Sequence, residues 1–192
     1  IDSFKQQCID KEIDVVKDFP DFPVTLWIDV EKIYRVIENL MSNATKYTMS
    51  GGCIIIKIIS REKEVSISVS DTGIGIPHSA QSKIFTAFYR AENAVNTNTQ
   101  GSGIGLLFSQ RVIKLHKGKL LFKSKEGVGT TFTILLPRGN KYMIKYRKDE
   151  KEESRHAQYY NKESKSPEVV MTEKSSSSIR MLIIEDNNDL CQ

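Results

Sequence analysis

The stretch Asn39-Leu40-Met41-Ser42-Asn43-Ala44-Thr45-Lys46-Tyr47 decides how this chain reads. It closes a segment in which Ile33, Val36, Ile37, Leu40, Met41 and Ala44 recur every three or four residues. That is the period of a helix with one apolar face. Asp29 stands ahead of it as a natural N-cap, because a carboxylate there accepts from the first free helical amides. The spacing predicts a helix from about residue 30 to Tyr47, ended by Ser50-Gly51-Gly52. Asn39 and Asn43 lie four apart and therefore share one side of that helix, a turn from each other.

Outward from this helix the elements alternate. Residues 1–16 carry Phe4, Cys8, Ile9, Ile13, Val15 and Val16, which predicts a helix end passing into a strand near residues 12–18. Phe19-Pro20-Asp21-Phe22-Pro23 is a turn, since two prolines exclude a helix. Val24 to Ile28 is a short strand. Residues 53–59 and 64–70 form a hairpin around Ser60-Arg61-Glu62-Lys63, and Val65 to Ser70 alternates strictly, with one face buried. A short helical pattern runs from Ala80 to Phe88, followed by a loop from Ala91 to Gln100. Residues 103–116 read as a helix, and 119–124 with 130–136 as a second hairpin around Glu126-Gly127-Val128-Gly129. Dense mixed charge and the run Ser175 to Ser178 make residues 139–180 a charged, flexible linker. Met181-Leu182-Ile183-Ile184 then predicts one more strand, followed by Glu185-Asp186.

Three further segments carry chemistry: Asp71-Thr72-Gly73-Ile74-Gly75-Ile76-Pro77, Gly101-Ser102-Gly103-Ile104-Gly105-Leu106 and Gly127-Val128-Gly129-Thr130-Thr131-Phe132. A carboxamide oxygen is a hard, neutral ligand that suits Mg²⁺, and Lys46, one turn beyond Asn43, offers a point charge for a phosphate. The competing account of the Asn pair is a solvated or capping role. Asp71 follows a strand and precedes two glycines, which fits a simple turn. It also fits a carboxylate on a pocket floor that accepts from the amino group of adenine, with the Thr130 hydroxyl donating to it directly or through water. Such a buried charge has to be hydrogen-bonded. Gly101 to Gly105 opens a helix whose free amides favour phosphate. It is neither a dinucleotide fingerprint, since Leu106 replaces the third glycine, nor a Walker loop, since no Gly-Lys-Ser/Thr follows. The aromatics of Ile84-Phe85-Thr86-Ala87-Phe88-Tyr89 read as packing, while Arg90 either reaches phosphate or is solvated. His78, His116 and His156 are structural or solvated, none being followed by the Glu-Pro that marks a phosphoaccepting histidine.

Composition narrows the classes. The chain has 192 residues, 39% of them hydrophobic, enough for one domain with additional segments. No apolar run approaches the roughly 20 residues that cross a bilayer. Cys8, Cys53 and Cys191 are odd in number and lack metal-type spacing, which fits a reducing compartment. The net charge of +4 arises from 28 basic and 24 acidic residues spread evenly, with no basic stripe for nucleic acid.

The four segments, in this order, resemble the boxes of the ATP-binding catalytic domain of bacterial sensor histidine kinases, over about residues 10–138. The resemblance implies an α/β two-layer sandwich with helices on one face of a mixed sheet, and ATP and Mg²⁺ as cofactors. It implies a nucleotide set of Asn39, Asn43, Lys46, Tyr47, Asp71, Gly73, Gly75, Ile76, Arg90, Gly101, Ser102, Gly103, Ile104, Gly105, Leu106 and Thr130. Asn39, Asn43 and Lys46 are its catalytic group and Asn43 its metal ligand. Hydrolases of this superfamily carry Glu where Asn39 stands, so the resemblance favours phosphoryl transfer to a protein histidine over hydrolysis. The rivals are an ATP-hydrolysing relative and a nucleotide-free interaction module. By the same resemblance, residues 1–9 end a dimerisation helix and residues 181–192 begin a receiver domain, with Glu185 and Asp186 in its metal-binding positions. The implied parent is a hybrid kinase, homodimeric and anchored in the bacterial inner membrane, with this domain cytoplasmic. Its partners are its own dimerisation and receiver domains, and the fragment alone is expected to bind nucleotide without labelling itself.

Overall fold

The computed structural model describes residues 2–95, 101–139 and 180–184. A short helix α1 (Asp2–Asp10) leads into strand β1 (Asp14–Asp18). Strand β2 (Val24–Ile28) then feeds the long helix α2 (Val30–Tyr47). Asp29 caps α2 as its sequence position predicts, its Oδ1 accepting from the Lys32 amide at 3.1 Å. Ile33, Val36, Leu40, Met41 and Ala44 are buried along one side of α2. Each large apolar side chain so buried contributes about 1.5–3 kcal/mol. The other end of α2 is held by Lys11, whose Nζ donates to the carbonyls of Thr45 (2.8 Å), Lys46 (3.1 Å) and Thr48 (3.3 Å). A cation there satisfies orphan carbonyls at the negative end of the helix dipole.

Strands β3 (Cys53–Ser60) and β4 (Glu64–Asp71) form the first hairpin, and β5 (Lys119–Lys125) and β6 (Gly129–Pro137) the second. The sheet order is β1-β3-β4-β6-β5, with β1 parallel to β3 and every other neighbour antiparallel. Ile54, Ile56, Val65, Ile67, Phe132, Ile134 and Leu136 face the helices and join α2 in one core with Val112 and Ile113. The latter two belong to α5 (Gly105–Leu115). The architecture is the expected mixed sheet with helices packed on one face. The opposite face leaves Ile55 and Leu121 exposed, beside Ser68 and Thr133.

Two predicted elements differ. The helical pattern from Ala80 to Phe88 yields only α3 (His78–Gln81), after which the chain proceeds through turns; Phe88 takes a φ of 62°, incompatible with a continuing helix. The loop expected from Ala91 contains a single helical turn, α4 (Glu92–Val95), and its remainder to Gln100 lies outside the described residues. The charged linker expected over residues 139–180 falls outside them too, apart from its two ends. The late strand is found as β7 (Arg180–Ile184), paired antiparallel with β2 so that Leu26 stands opposite Leu182. Its expected acidic pair, Glu185 and Asp186, and His156 lie outside the described residues. No helix among the described residues is long and apolar enough to cross a membrane.

Candidate functional site

Between α2, the inner face of β4 and β6, and the start of α5 lies a cleft. Asp71, the last residue of β4, forms part of its wall. Its Oδ1 accepts from the Gly73 amide at 2.9 Å and the Thr130 amide at 3.3 Å. Burial pushes the Asp71 carboxyl above the usual carboxylate range, and those two amide bonds oppose the rise. Since both bonds fall on Oδ1, Oδ2 is the oxygen left to meet a ligand. The Thr130 hydroxyl does not turn to Asp71 as expected. It lies 2.8 Å from Ser124 Oγ, which also receives the Ile76 amide at 2.8 Å. The backbone amide of Thr130, aligned by the β4–β6 register that pairs Asp71 with Thr130, supplies the contact instead.

The loop after Asp71 is fastened on both sides. The Ile74 amide donates to the Tyr47 carbonyl (3.1 Å), and the Gly127 amide to the Ile74 carbonyl (2.8 Å). Gly75 has a φ of 63°, and a Cβ there would overlap the Lys125 carbonyl. Only glycine satisfies both demands. The second hairpin turn thus braces the first glycine loop.

On the facing wall α2 presents Asn39, Asn43, Lys46 and Tyr47. Asn39 Nδ2 donates to Ser109 Oγ (2.9 Å), and Ser109 Oγ donates to the Gly105 carbonyl (2.9 Å). Ser109 is fully buried on α5 and ties it to α2. A Cβ at Gly105 would fall on Asn39 Oδ1, so the glycine at the helix start serves close approach of the carboxamide. The amides of the first turn of α5 are not consumed by any side-chain cap. They form the positive end of an 11-residue helix beside Asn39.

The expected residues Asn39, Asn43, Lys46, Tyr47, Asp71, Gly75, Ile76, Arg90, Gly101, Ser102, Gly103, Gly105, Leu106 and Thr130 all line this one cleft. Gly73 and Ile104 stand outside its lining. Gly73 acts through its bond to Asp71, and Ile104 is exposed at the head of α5. The expected set lacks Ile74, Ile84, Tyr89, Ala91, Asn93, Ala94 and Phe132 in the wall, and Ser109 behind it. Phe132 was within reach, since it lies two residues after Thr130 on the same strand and hence on the same face. Tyr89 and Asn93 belong to a segment whose irregular backbone leaves no periodicity to read. The aromatics before them divide: Phe85 packs edge-on against Phe122, whereas Phe88 is exposed.

Residues 28–140, more than half of the chain, match the family described as histidine kinase-, DNA gyrase B- and HSP90-like ATPases. The chain belongs to that family. Within it, this is the ATP-binding catalytic domain of the sensor histidine kinase type. The sensor histidine kinase RppB of Synechocystis sp. is 38% identical over 136 residues, covering 71% of this chain and 30% of RppB. Sensor histidine kinase WalK of Bacillus subtilis is 37% identical over 130 residues, covering 67% of this chain and 21% of WalK. The chain therefore spans less than a third of either kinase. A crystal form of the catalytic domain of histidine kinase ThkA superimposes with a TM-score of 0.62 at 27% identity, over 71% of this chain and 87% of that domain.

In this family setting the cleft has the parts for a nucleotide. A partly buried carboxylate stands at the end of β4, apolar Ile76, Ile84 and Leu106 share the lining, and Lys46, Arg90 and the start of α5 offer positive charge. The donor set of Asn39 and Asn43 is neutral oxygen, which fits a hard cation already bound to phosphate better than a cation held by protein alone.

Proposed function

We propose that this domain binds Mg·ATP and, within a longer protein, passes the γ-phosphoryl group to a histidine on a separate dimerisation domain, for relay to a receiver aspartate. The observation that carries this reading is the convergence in one cleft of Asp71, anchored through Oδ1, with Asn39, Asn43 and Lys46 from a single helix face. Asp71 Oδ2 is left to accept from the adenine amino group. Guanine presents a carbonyl at that place, so two acceptors would meet. Lys46, Arg90 and the amides at the start of α5 take the phosphates.

Asn43, with Asn39 beside it, would hold Mg²⁺, which when bound screens the phosphate charge. Asn39 contributes no general base at neutral pH and is held by Ser109, which supports transfer over hydrolysis. In the transfer a bond forms between an imidazole nitrogen and the γ-phosphorus as the bond to the β–γ bridging oxygen breaks and ADP leaves. The work of the chain is mainly positioning and charge stabilisation.

The parent is read as a hybrid kinase whose receiver begins near Met181. Histidine kinase P4 of Formosa agariphila is similar over 87% of this chain, an extent that residues 1–140 alone do not fill, which supports a shared region beyond the ATPase domain. The parent is further proposed to be homodimeric and anchored in the bacterial inner membrane, with this domain on the cytoplasmic side. Titration calorimetry with ATP, ADP and GTP, with and without Mg²⁺, tests the core of the reading. ATP is expected to bind more tightly than GTP and to gain affinity from Mg²⁺; equal affinities, or no binding, overturn it.

A further inference from the structure

Asn93 lies on the single turn α4 and lines the cleft, although no box of the family resemblance assigns it a role. Its Nδ2 donates to the Gly75 carbonyl at 3.0 Å. A carbonyl only accepts, so this bond settles which end of the carboxamide is nitrogen and leaves Oδ1 as the other. Oδ1 is shut off from solvent and has no hydrogen-bond partner among the described residues. A buried amide oxygen in that condition is unfavourable until a donor meets it, and buried polar atoms are rarely left so.

The donors that an adenine nucleotide brings are few. Its phosphates are acceptors at neutral pH, and one N–H of its exocyclic amino group is assigned to Asp71. Besides the second N–H of that group, its donors are the two ribose hydroxyls, and these are the ones that deoxy nucleotides remove singly. Gly75, the anchor of Asn93, lies four residues after Asp71 on the same loop, so Asn93 borders the part of the cleft next to the base. We infer that Asn93 is a sugar-reading residue: its Oδ1 accepts a hydrogen bond from a ribose hydroxyl of the bound nucleotide, while its Nδ2 stays on Gly75. The domain then favours ribonucleotides over deoxyribonucleotides. This inference rests on the cleft being an ATP site.

The test is calorimetry on the 192-residue chain with Mg²⁺, comparing ATP, 2′-deoxy-ATP and 3′-deoxy-ATP. One of the two deoxy nucleotides is expected to bind about tenfold more weakly than ATP, the cost typical of leaving one buried acceptor unmet. In Asn93→Ala, ATP affinity falls and that difference closes to within about twofold. A purely structural role for Asn93, tying α4 to Gly75, would weaken all three ligands alike and leave the difference intact, which overturns the inference. Equal affinity of the unaltered chain for all three nucleotides also overturns it, with the ATP site left standing. Failure to bind ATP at all removes both.

Discussion

Asp71 and its two backbone donors illustrate how much of this site rests on single atoms. Asp71→Asn retains an oxygen for the Gly73 and Thr130 amides but puts an NH2 group where Oδ2 stood, facing the amino group of adenine. ATP affinity is expected to fall by about 1–3 kcal/mol, the cost of an unmet buried donor. GTP, with a carbonyl there, is expected to lose little, so the ATP-over-GTP preference narrows; calorimetry reads both. The raised Asp71 pKa adds a pH dependence with opposite signs for folding and binding. The native state holds this proton more firmly than the unfolded chain. The stability it contributes is therefore present at low pH and lost as pH rises through the usual carboxylate range toward the raised value. Nucleotide binding needs the ionised form. Affinity is thus expected to drop as pH falls from 7 through the raised value, and Asp71→Asn should flatten that profile. The place of Asp71 in the cleft was legible from the strand-Asp-x-Gly-x-Gly pattern, whereas its partner atoms were not. The Thr130 hydroxyl was the sequence-level expectation, yet side-chain chemistry says nothing of which backbone amide the register brings near.

At the scale of elements, α2 and α5 together make one wall of the cleft, and two bridges fix their relation. One is Asn39–Ser109–Gly105 at the cleft. The other lies at the far end, where His116 Nε2 accepts from the Asp29 amide at 3.0 Å and Nδ1 pairs with the Val112 carbonyl at 2.8 Å. Those partners require the neutral ring with its proton on Nδ1. Burial holds the His116 pKa below the usual histidine value, opposed by the Val112 carbonyl and the Asp29 carboxylate and aided by Lys32. The folded chain therefore binds this proton less readily than the unfolded one. The contribution of His116 is complete above about pH 6.5 and is lost as pH falls below it. His116→Phe is expected to cost about 1–3 kcal/mol at pH 7, and less at pH 5, in urea unfolding. A deficit that stays constant with pH would contradict the neutral-ring bridge. The helices themselves were plain in the sequence: α2 from its period and cap, α5 from its glycine turn. The bridges were not, because His116 lies 87 residues from Asp29 and Ser109 lies 70 from Asn39.

For the whole molecule, the proposed division of labour predicts that this chain binds nucleotide without labelling itself. Of the three histidines, His116 is buried between helices and already bonded through both ring nitrogens. Incubation with γ-labelled ATP is expected to leave the protein unlabelled, whereas addition of a dimerisation domain bearing an acceptor histidine should produce label on that partner. Label on this chain alone would refute the division of labour. The matched family covers residues 28–140, and the described lining of the cleft lies within it, in one sheet-and-helix unit.

By itself, the sequence determined the order of the strands and of the long helices and their apolar faces, because periodicity and glycine placement are local properties of neighbouring residues; the resemblance of the four boxes implied the fold class. Of the sixteen expected site residues, all but Gly73 and Ile104 line the cleft. Only the tertiary structure decided which atoms pair across it: the Thr130 amide rather than its hydroxyl, Ser109 behind Asn39, and Asn93 on the Gly75 carbonyl. Those choices depend on strand register and helix approach. Both are set by how distant apolar faces pack together, and neither leaves a trace in the spacing of the residues concerned.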